Sequence, residues 1–262
     1  MGGYAFGDSA AAARRLALLA QVFEPATRPF LERFAGHPYG LVVDLGCGPG
    51  HSTGLLAEVL APGRILGLDQ SPSFVALAAG SGSPPAEFAV HDVTVVPFPC
   101  PAADLVFCRF LLSHLPDPGA ALAAWATQLA PGGLLLADEV ERIHTGQPAL
   151  RSYLETAAAL LAARGHALEV GAGLQRLPDP PGLVRRHDRA APLAPAARQA
   201  ARMFGQNLAV WRDDAVGSGV APGGELDRLA DDLAAVAAGR VGGTIAWELR
   251  QLAFQRSRAG PT

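Results

Sequence analysis

Apolar residues between positions 41 and 141 occur in short continuous runs, separated by stretches with helical periodicity. The runs predict five buried strands, at residues 41–45, 64–68, 88–90, 104–112 and 134–137. The intervening stretches predict helices at residues 52–60, from Pro72 into the Gly/Ser/Pro segment 80–85, and from Pro118 to the turn at 131–133. Strands that alternate with helices in this way indicate a parallel sheet.

Helical patterns dominate on both sides of this alternation. Leu16, Leu19 and Phe23 indicate a first helix that we expect to end at Pro25, and a short second helix follows around Phe30. Three more helical stripes lie at residues 150–161, 197–211 and 226–236. The alternation at residues 245–249 predicts a late strand, and residues 184–189 are its expected partner.

Composition and charge exclude several classes of protein. The chain has 262 residues, of which 50% are hydrophobic, and a formal net charge of -3 without a run of positive residues. We therefore expect no nucleic-acid partner, because such proteins present a basic face to phosphates. We also expect no membrane segment, a cytoplasmic location, and a monomer or homodimer. The three cysteines have no zinc-ligand spacing, and no metal is predicted.

The segment from Asp44 to Gly50 carries the most informative chemistry. Gly46, Gly48 and Gly50 follow a predicted strand and precede a helix, which is the context of a nucleotide-binding loop. Asp69 ends the next strand, where a carboxylate can accept hydrogen bonds from both hydroxyls of a ribose.

Several segments together are similar to the small-molecule type of class I S-adenosylmethionine-dependent methyltransferases. Residues 44–50 resemble the first motif of that family, and Asp69 resembles its acidic residue after the second strand. Asp92 resembles the residue that contacts the adenine amino group. Residues 103–106 and 129–134 resemble the fourth strand and the turn into the fifth.

This resemblance implies a fold and a domain organisation. The fold is a Rossmann-like, seven-stranded, mostly parallel α/β sheet with helices on both faces. Residues 1–38 would form an N-terminal helical lid, and residues 39–262 the methyltransferase domain. Within that domain, residues 142–240 would carry helical insertions that build the substrate pocket.

The resemblance also implies a function and a set of contacts. The cofactor would be S-adenosyl-L-methionine, with S-adenosyl-L-homocysteine as its product. The methyl acceptor would be a small molecule, and the apolar helices fit a natural-product or secondary-metabolite intermediate. The predicted cofactor-binding residues are Tyr4, Arg15, Asp44, Gly46, Cys47, Gly48, Gly50, Asp69, Gln70, Asp92, Val93 and Arg109.

Individual residues keep a second interpretation. Asp92 can cap a turn instead of contacting adenine. His114 is the one candidate catalytic base, because its ordinary pKa is near neutrality, and it can equally be a packed histidine. Asp138 and Glu139 follow the fifth strand, but further metal ligands are not found beside them in the sequence.

Two other functions remain open at this point. An NAD(P)-dependent oxidoreductase would also place Asp69 on a ribose, but position 51 is histidine where the dinucleotide loop needs glycine. A chain without lysine also lacks a catalytic Tyr-x-x-x-Lys pair. The second alternative is a non-catalytic protein that binds S-adenosylmethionine for regulation or assembly.

Overall fold

Seven strands form one sheet at the centre of the molecule. In the computed structural model, which describes residues 10–81 and 86–258, the strand order is β3-β2-β1-β4-β5-β7-β6. The strands are β1 (Leu41–Leu45), β2 (Arg64–Asp69), β3 (Ala86–Val90), β4 (Ala103–Arg109), β5 (Leu129–Thr145), β6 (Leu183–Leu193) and β7 (Ile245–Arg256). Strands β1 to β5 run parallel, whereas β7 is antiparallel to both of its neighbours. The predicted seven-stranded, mostly parallel sheet is confirmed.

Helices flank the sheet and extend beyond one end of it. They are α1 (Ala10–Glu32), α2 (His51–Leu60), α3 (Pro72–Gly80), a 3-10 helix (Leu112–His114), α4 (Pro118–Ala126), α5 (Pro148–Ala162), α6 (Gly171–Leu174), α7 (Ala197–Gly217) and α8 (Gly223–Ala237). The expected start of α4 is observed, since Asp117 accepts a 2.9 Å hydrogen bond from the backbone N–H of Ala120. Pro118 occupies the first turn, where a missing N–H costs no helical bond.

The helices after β5 build a second hydrophobic core with α1. Phe23 of α1, Leu150 of α5, Phe204 of α7 and Leu233 of α8 belong to one buried cluster, together with Trp247 of β7. The sheet itself has separate clusters that include its central strands. The molecule therefore has an apolar helical region beside the conventional core of the sheet.

The expected break at Pro25 is wrong. Helix α1 continues through Pro25 and Pro29 to Glu32. Proline removes one backbone donor and favours a kink, but Phe23 and Phe30 on either side are at most 3% exposed. Burial of these side chains offsets the local penalty, and sequence pattern alone cannot weigh the two effects.

Two strand boundaries also differ from expectation. Strand β4 ends at Arg109 instead of continuing to residue 112, because Phe110 adopts a left-handed backbone conformation (φ 54°). Strand β5 begins before the expected turn at 131–133 and continues to Thr145. Its extension pairs with β7 along its length, and such a long-range partner is not visible in the local sequence.

Candidate active site

A cavity of about 840 Å³ opens at the carboxyl ends of β1, β2, β3 and β4. The strand order reverses between β1 and β4, and open α/β sheets bind ligands at such switch points. One part of the cavity, here called the glycine-loop end, is lined by Gly46, Gly48, Asp69, Asp92 and Val93. The other part, the helical end, is lined mainly by residues of α1, α5 and α7 and by Trp247 of β7.

The glycine loop needs its glycines for conformation and for space. Gly46, Gly48 and Gly50 have φ values of 64°, 53° and 89°. Residues with a side chain rarely adopt these φ values, whereas glycine adopts them without steric cost. A Cβ on Gly50 would also lie 3.2 Å from both Ala78 and Phe88, so this turn packs closely against α3 and β3.

Asp69 joins the glycine loop to the end of β2. Its Oδ2 accepts a 2.8 Å hydrogen bond from the Gly48 N–H, and its Oδ1 accepts a 2.8 Å bond from the Ser71 N–H. Gln70 lines the cavity beside it. The carboxylate is thereby held in one orientation at the cavity wall, and each carboxylate oxygen can accept more than one hydrogen bond.

Asp44 lies beneath the loop and is 1% exposed. Its Oδ2 accepts hydrogen bonds from Ser52 (2.7 Å) and Thr53 (2.6 Å) at the start of α2. Its buried Oδ1 has no hydrogen-bond partner in the part of the chain that the structure describes. Burial raises the pKa of Asp44 to about 6, so a nearby ligand cation would favour its charged form.

Cys47 is a buried loop residue that lines the cavity, and its predicted backbone contact with the cofactor stays a prediction. The side chain is 3% exposed, and its backbone N–H donates to the Leu68 carbonyl at 3.1 Å. Burial raises the pKa of the thiol far above its ordinary value, which disfavours the nucleophilic thiolate.

Asp92 and Val93 follow β3 and line the same end of the cavity. Asp92 Oδ1 accepts hydrogen bonds from the N–H (2.9 Å) and the hydroxyl (2.7 Å) of Thr94, so this carboxylate does cap a turn. Capping lowers its pKa. Trp125 of α4 donates its indole N–H to the Val93 carbonyl at 2.8 Å and fixes this loop from below.

Arg109 and Arg15 also line the cavity. Arg109 ends β4, and its Nη1 donates to the Thr27 hydroxyl at 3.3 Å. Arg15 of α1 is 2% exposed, and its Nη1 donates to Oδ1 of Asn207 in α7 at 2.8 Å. The guanidinium of Arg15 therefore faces the helical end. Tyr4, the other residue assigned to the lid, lies outside the described residues.

His114 stands in the 3-10 helix on the cavity wall, with its ring centroid 6.4 Å from that of His166. Burial, His166 and Arg15 together lower the pKa of His114 to about 4. The ring is therefore neutral at pH 7, and a role of His114 as a general base stays a prediction.

Asp138 and Glu139 are both fully buried in the middle of β5, which continues to Thr145. Asp138 accepts a 2.6 Å hydrogen bond from Thr27, and Glu139 Oε1 accepts bonds from the N–H groups of Leu111 (2.8 Å) and Leu112 (2.9 Å). These carboxylates support α1 and the 3-10 helix. Across the described residues, no group of three His, Cys, Asp or Glu side chains has the arrangement of a metal site.

Sequence reasoning missed the polar residues at the helical end. Tyr153 and Asn207 lie on the apolar stripes of α5 and α7, and both line the cavity. Each is at most 8% exposed. A polar residue within a buried stripe is the signal that could have identified them, but their meeting across two helices depends on tertiary packing.

Comparison with known proteins agrees with this geometry. The family model of a methyltransferase domain matches residues 43–137, which include the glycine loop, Asp69 and Asp92. Residues 43–137 are thus similar to a methyltransferase domain. The family resemblance seen in the sequence is therefore confirmed, and the matched segment contains the glycine-loop end of the cavity.

Relatives and solved structures extend the comparison. A trans-aconitate 2-methyltransferase from Methylobacterium nodulans is 38% identical over 146 residues, which cover 51% of this chain and 56% of the relative. The chain thus spans about half the length of the known relatives that it matches. A putative methyltransferase from Bacillus halodurans has a TM-score of 0.57 at 15% identity, covering 88% of this chain and 98% of its own.

The same fold also occurs in a protein described by another reaction. The [4+2]-cyclase SpnF has a TM-score of 0.52 and 18% identity, covering 89% of this chain and 80% of its own. At this identity the likeness concerns the fold, and function must be argued from the site. In residues 10–81 and 86–258, no helix is long and apolar enough to cross a membrane.

Proposed function

We propose that the protein transfers a methyl group from S-adenosylmethionine to a small-molecule acceptor. The observation that carries the proposal is a single cavity that joins the glycine loop and Asp69 to an apolar chamber among the helices. A cofactor at the glycine-loop end and an acceptor at the helical end would share this space. Such an arrangement would bring the two reacting groups close together.

The residues at the glycine-loop end fit an adenosyl amino acid. Gly46 and Gly48 line the cavity without side chains, so their backbone would lie close to a ligand, and Asp69 presents a fixed carboxylate suited to ribose hydroxyls. Buried Asp44 Oδ1 has no protein donor among the described residues, which suits a nearby ammonium. When bound, S-adenosylmethionine supplies an electrophilic methyl group on a sulfonium centre.

The chain itself supplies position and environment. Asp92 and Val93 would form the adenine side of the site, held by Thr94 and Trp125. The walls at the helical end include Phe23 and Trp247, which keep the reacting region apolar. With the pKa of His114 lowered to about 4, positioning outweighs proton abstraction by that residue.

The acceptor belongs to the class of small molecules in this proposal. The relative from Methylobacterium nodulans is named for a small acid, trans-aconitate. The enclosed apolar walls at the helical end also favour an acceptor with a hydrophobic skeleton, such as a natural-product or secondary-metabolite intermediate. Most of the residues that line the helical end lie outside residues 43–137, the segment that the family model matches.

Calorimetric titration with S-adenosylhomocysteine tests the cofactor. We expect micromolar binding, weakened roughly tenfold to a hundredfold in Asp69→Ala because a fixed, charged hydrogen-bond acceptor is lost. Asp104→Ala is the matched control. Asp104 also accepts two backbone N–H bonds, from Gly40 and Leu41, but at the opposite end of the sheet.

The same titration distinguishes the alternatives. NADH should neither bind at comparable concentration nor displace S-adenosylhomocysteine. Displacement by NADH, or no binding of S-adenosylhomocysteine to the unaltered protein, would reject the proposal and favour an oxidoreductase. Tight cofactor binding without methylation of any acceptor in a broad panel would favour a non-catalytic binding protein.

A further inference from the structure

Three polar side chains form a connected chain across the helical end of the cavity. Arg15 donates from Nη1 to Asn207 Oδ1 at 2.8 Å, and Asn207 donates from Nδ2 to the Tyr153 hydroxyl at 2.8 Å. They come from α1, α7 and α5. All three line the cavity, and their exposed fractions are 2%, 8% and 3%.

The Tyr153 hydroxyl has a proton available for a ligand. It accepts the bond from Asn207, and no described residue accepts a hydrogen bond from it. Burial raises the pKa of Tyr153 to about 12, so the group remains a protonated donor at neutral pH. Its ring is held in place by stacking on Phe204, with centroids 4.0 Å apart and planes at 12°.

The charge at this end is positive. Arg15 is close enough to contribute to the low pKa of His114. The acidic residues that line the cavity within the described parts of the chain are Asp69 and Asp92, both at the glycine-loop end. The helical end therefore offers a cation and a hydroxyl donor inside apolar walls formed by Phe23, Phe110, Leu154, Met203, Phe204 and Trp247.

We propose that Arg15 and Tyr153, oriented by Asn207, bind the carboxylate of an acceptor with an apolar skeleton. This inference rests on the proposed methyl transfer and names its substrate class. A carboxylate is the group that matches a guanidinium and a neutral hydroxyl donor together. It is also the acceptor that needs no general base, in agreement with the low pKa of His114.

The reaction balances without a proton acceptor. One carboxylate oxygen uses a lone pair to form an O–CH₃ bond, while the C–S bond breaks and its electron pair stays on sulfur. The anionic acceptor becomes a neutral methyl ester, and the sulfonium becomes a neutral thioether. No proton is released in this step.

The subsite lies outside the segment that the family model covers. Arg15, Tyr153 and Asn207 all stand outside residues 43–137. The proposal also changes the role predicted for Arg15, from a cofactor contact in the lid to an acceptor contact. These two roles make opposite predictions for binding of the cofactor product.

Binding and turnover test the proposal on the full chain. Trans-aconitate, cinnamate and decanoate, each paired with its amide, are titrated into protein saturated with S-adenosylhomocysteine. We expect at least one acid to bind about tenfold or more tightly than its amide, because the amide loses the charge-assisted bonds. Methyl-labelled S-adenosylmethionine should convert that acid to its methyl ester.

Variants test whether Arg15 and Tyr153 cause the preference for an acid over its amide. Arg15→Met and Tyr153→Phe should each weaken acid binding about tenfold, while the dissociation constant of S-adenosylhomocysteine changes less than about twofold. Tyr39→Phe is the matched control, since it removes a hydroxyl that donates to the Phe34 carbonyl away from this cavity. Circular dichroism and thermal unfolding verify that each variant is folded, independently of ligand binding.

The inference and the proposed function fail in different ways. Acids that bind no better than their amides, or a preference unchanged in both variants, would overturn the carboxylate subsite while cofactor binding stood. Preferential methylation of phenols or amines would overturn it as well. Loss of S-adenosylhomocysteine binding in Arg15→Met would return Arg15 to the cofactor. Absence of that binding in the unaltered protein would instead reject the proposed function.

Discussion

Glu139 shows how a single buried carboxylate supports the site without touching its ligands. Glu139 accepts hydrogen bonds from the backbone N–H groups of Leu111 and Leu112. Both residues belong to the segment after β4 that also carries His114. Burial, the largest influence, raises the pKa of Glu139 to about 8. The side chain is therefore mostly neutral at pH 7, and ionisation at higher pH places a charge in the core.

A stability measurement against pH tests this assignment. The folded-state pKa exceeds the unfolded value of 4.5, so the folded state binds the proton more tightly. The free energy of unfolding should fall between pH 7 and pH 8.5, by at most about 1.4 kcal/mol per pH unit. Glu139→Gln keeps an acceptor oxygen for both N–H groups and should flatten this slope.

Urea unfolding of both proteins at pH 7 and pH 8.5 provides the measurement. Because the unfolded carboxyl ionises above about pH 4.5, the variant should already be more stable than the unaltered protein at pH 7, and the difference should be larger at pH 8.5. Equal slopes in the two proteins would contradict the raised pKa. Asp44 and His114, with pKa values near 6 and 4, titrate mainly below this window.

Whether a feature of a single residue could be predicted from the sequence depends on whether its cause is local or tertiary. The tight turn at the glycines and the position of Asp69 at the end of β2 could be predicted from their spacing relative to the two strands, while their contacts with a cofactor stay a prediction. The Arg15–Asn207–Tyr153 chain could not, since it forms only when three helices far apart in sequence pack together. Asp92 had two interpretations, and its bonds to Thr94 establish the turn cap but leave a ligand contact a proposal.

At the scale of elements, the turn from β1 into α2 is the most constrained part of the site. Gly50 has a φ of 89°, and the position of its Cβ is crowded by Ala78 and Phe88. Gly54, one turn further along in α2, has no atom within 4 Å of the equivalent position. Substitution of these two glycines by alanine should therefore have opposite effects on stability within one segment.

Alanine substitutions should separate turn geometry from helix propensity. Gly50→Ala should lower the free energy of unfolding by roughly 1–3 kcal/mol through backbone strain, and should weaken S-adenosylhomocysteine binding. Gly54→Ala should raise the free energy of unfolding by up to about 1 kcal/mol, because alanine favours helix. Thermal unfolding and calorimetry measure both effects. Similar effects of the two substitutions would show that the left-handed turn is not the constraint.

Element boundaries were predictable where local signals are strong. The cap at Asp117 and the runs at β1 and β2 appear as expected. The errors arose where tertiary contacts override local preference. Burial around Pro25 keeps α1 continuous. Pairing of Leu129 with Ala103 of β4 extends β5 to before the glycines at 132 and 133, and pairing with β7 carries it on to Thr145.

At the scale of the whole molecule, α1 closes one side of the cavity. Arg15, Leu16, Leu19 and Phe23 line it from the helix. A Cβ on Gly48 would lie 3.5 Å from Leu16 Cδ1, so α1 faces the glycine loop directly. We propose that α1 is the moving part of the lid predicted for residues 1–38, because its residues line the cavity directly opposite the glycine loop.

Both polar and apolar contacts hold α1 in place. Thr27 donates a hydrogen bond to Asp138, Gln251 donates one to the Ala26 carbonyl, and Arg15 donates one to Asn207. Phe23 and Phe30 lie in hydrophobic clusters, and Phe23 also packs edge-on against Phe110 with centroids 4.8 Å apart. Opening would expose this apolar contact, and a bound ligand would stabilise the closed state through the cavity residues.

Hydrogen exchange with and without S-adenosylhomocysteine tests the lid. Amides of α1 should exchange about tenfold or more slowly in the complex, because ligand binding makes opening less favourable by the differential binding free energy. Helix α8 is the internal control, since none of its residues lines the cavity. Protection confined to the glycine loop and β2, with α1 unchanged, would show that α1 is a fixed wall and that ligands enter from another side.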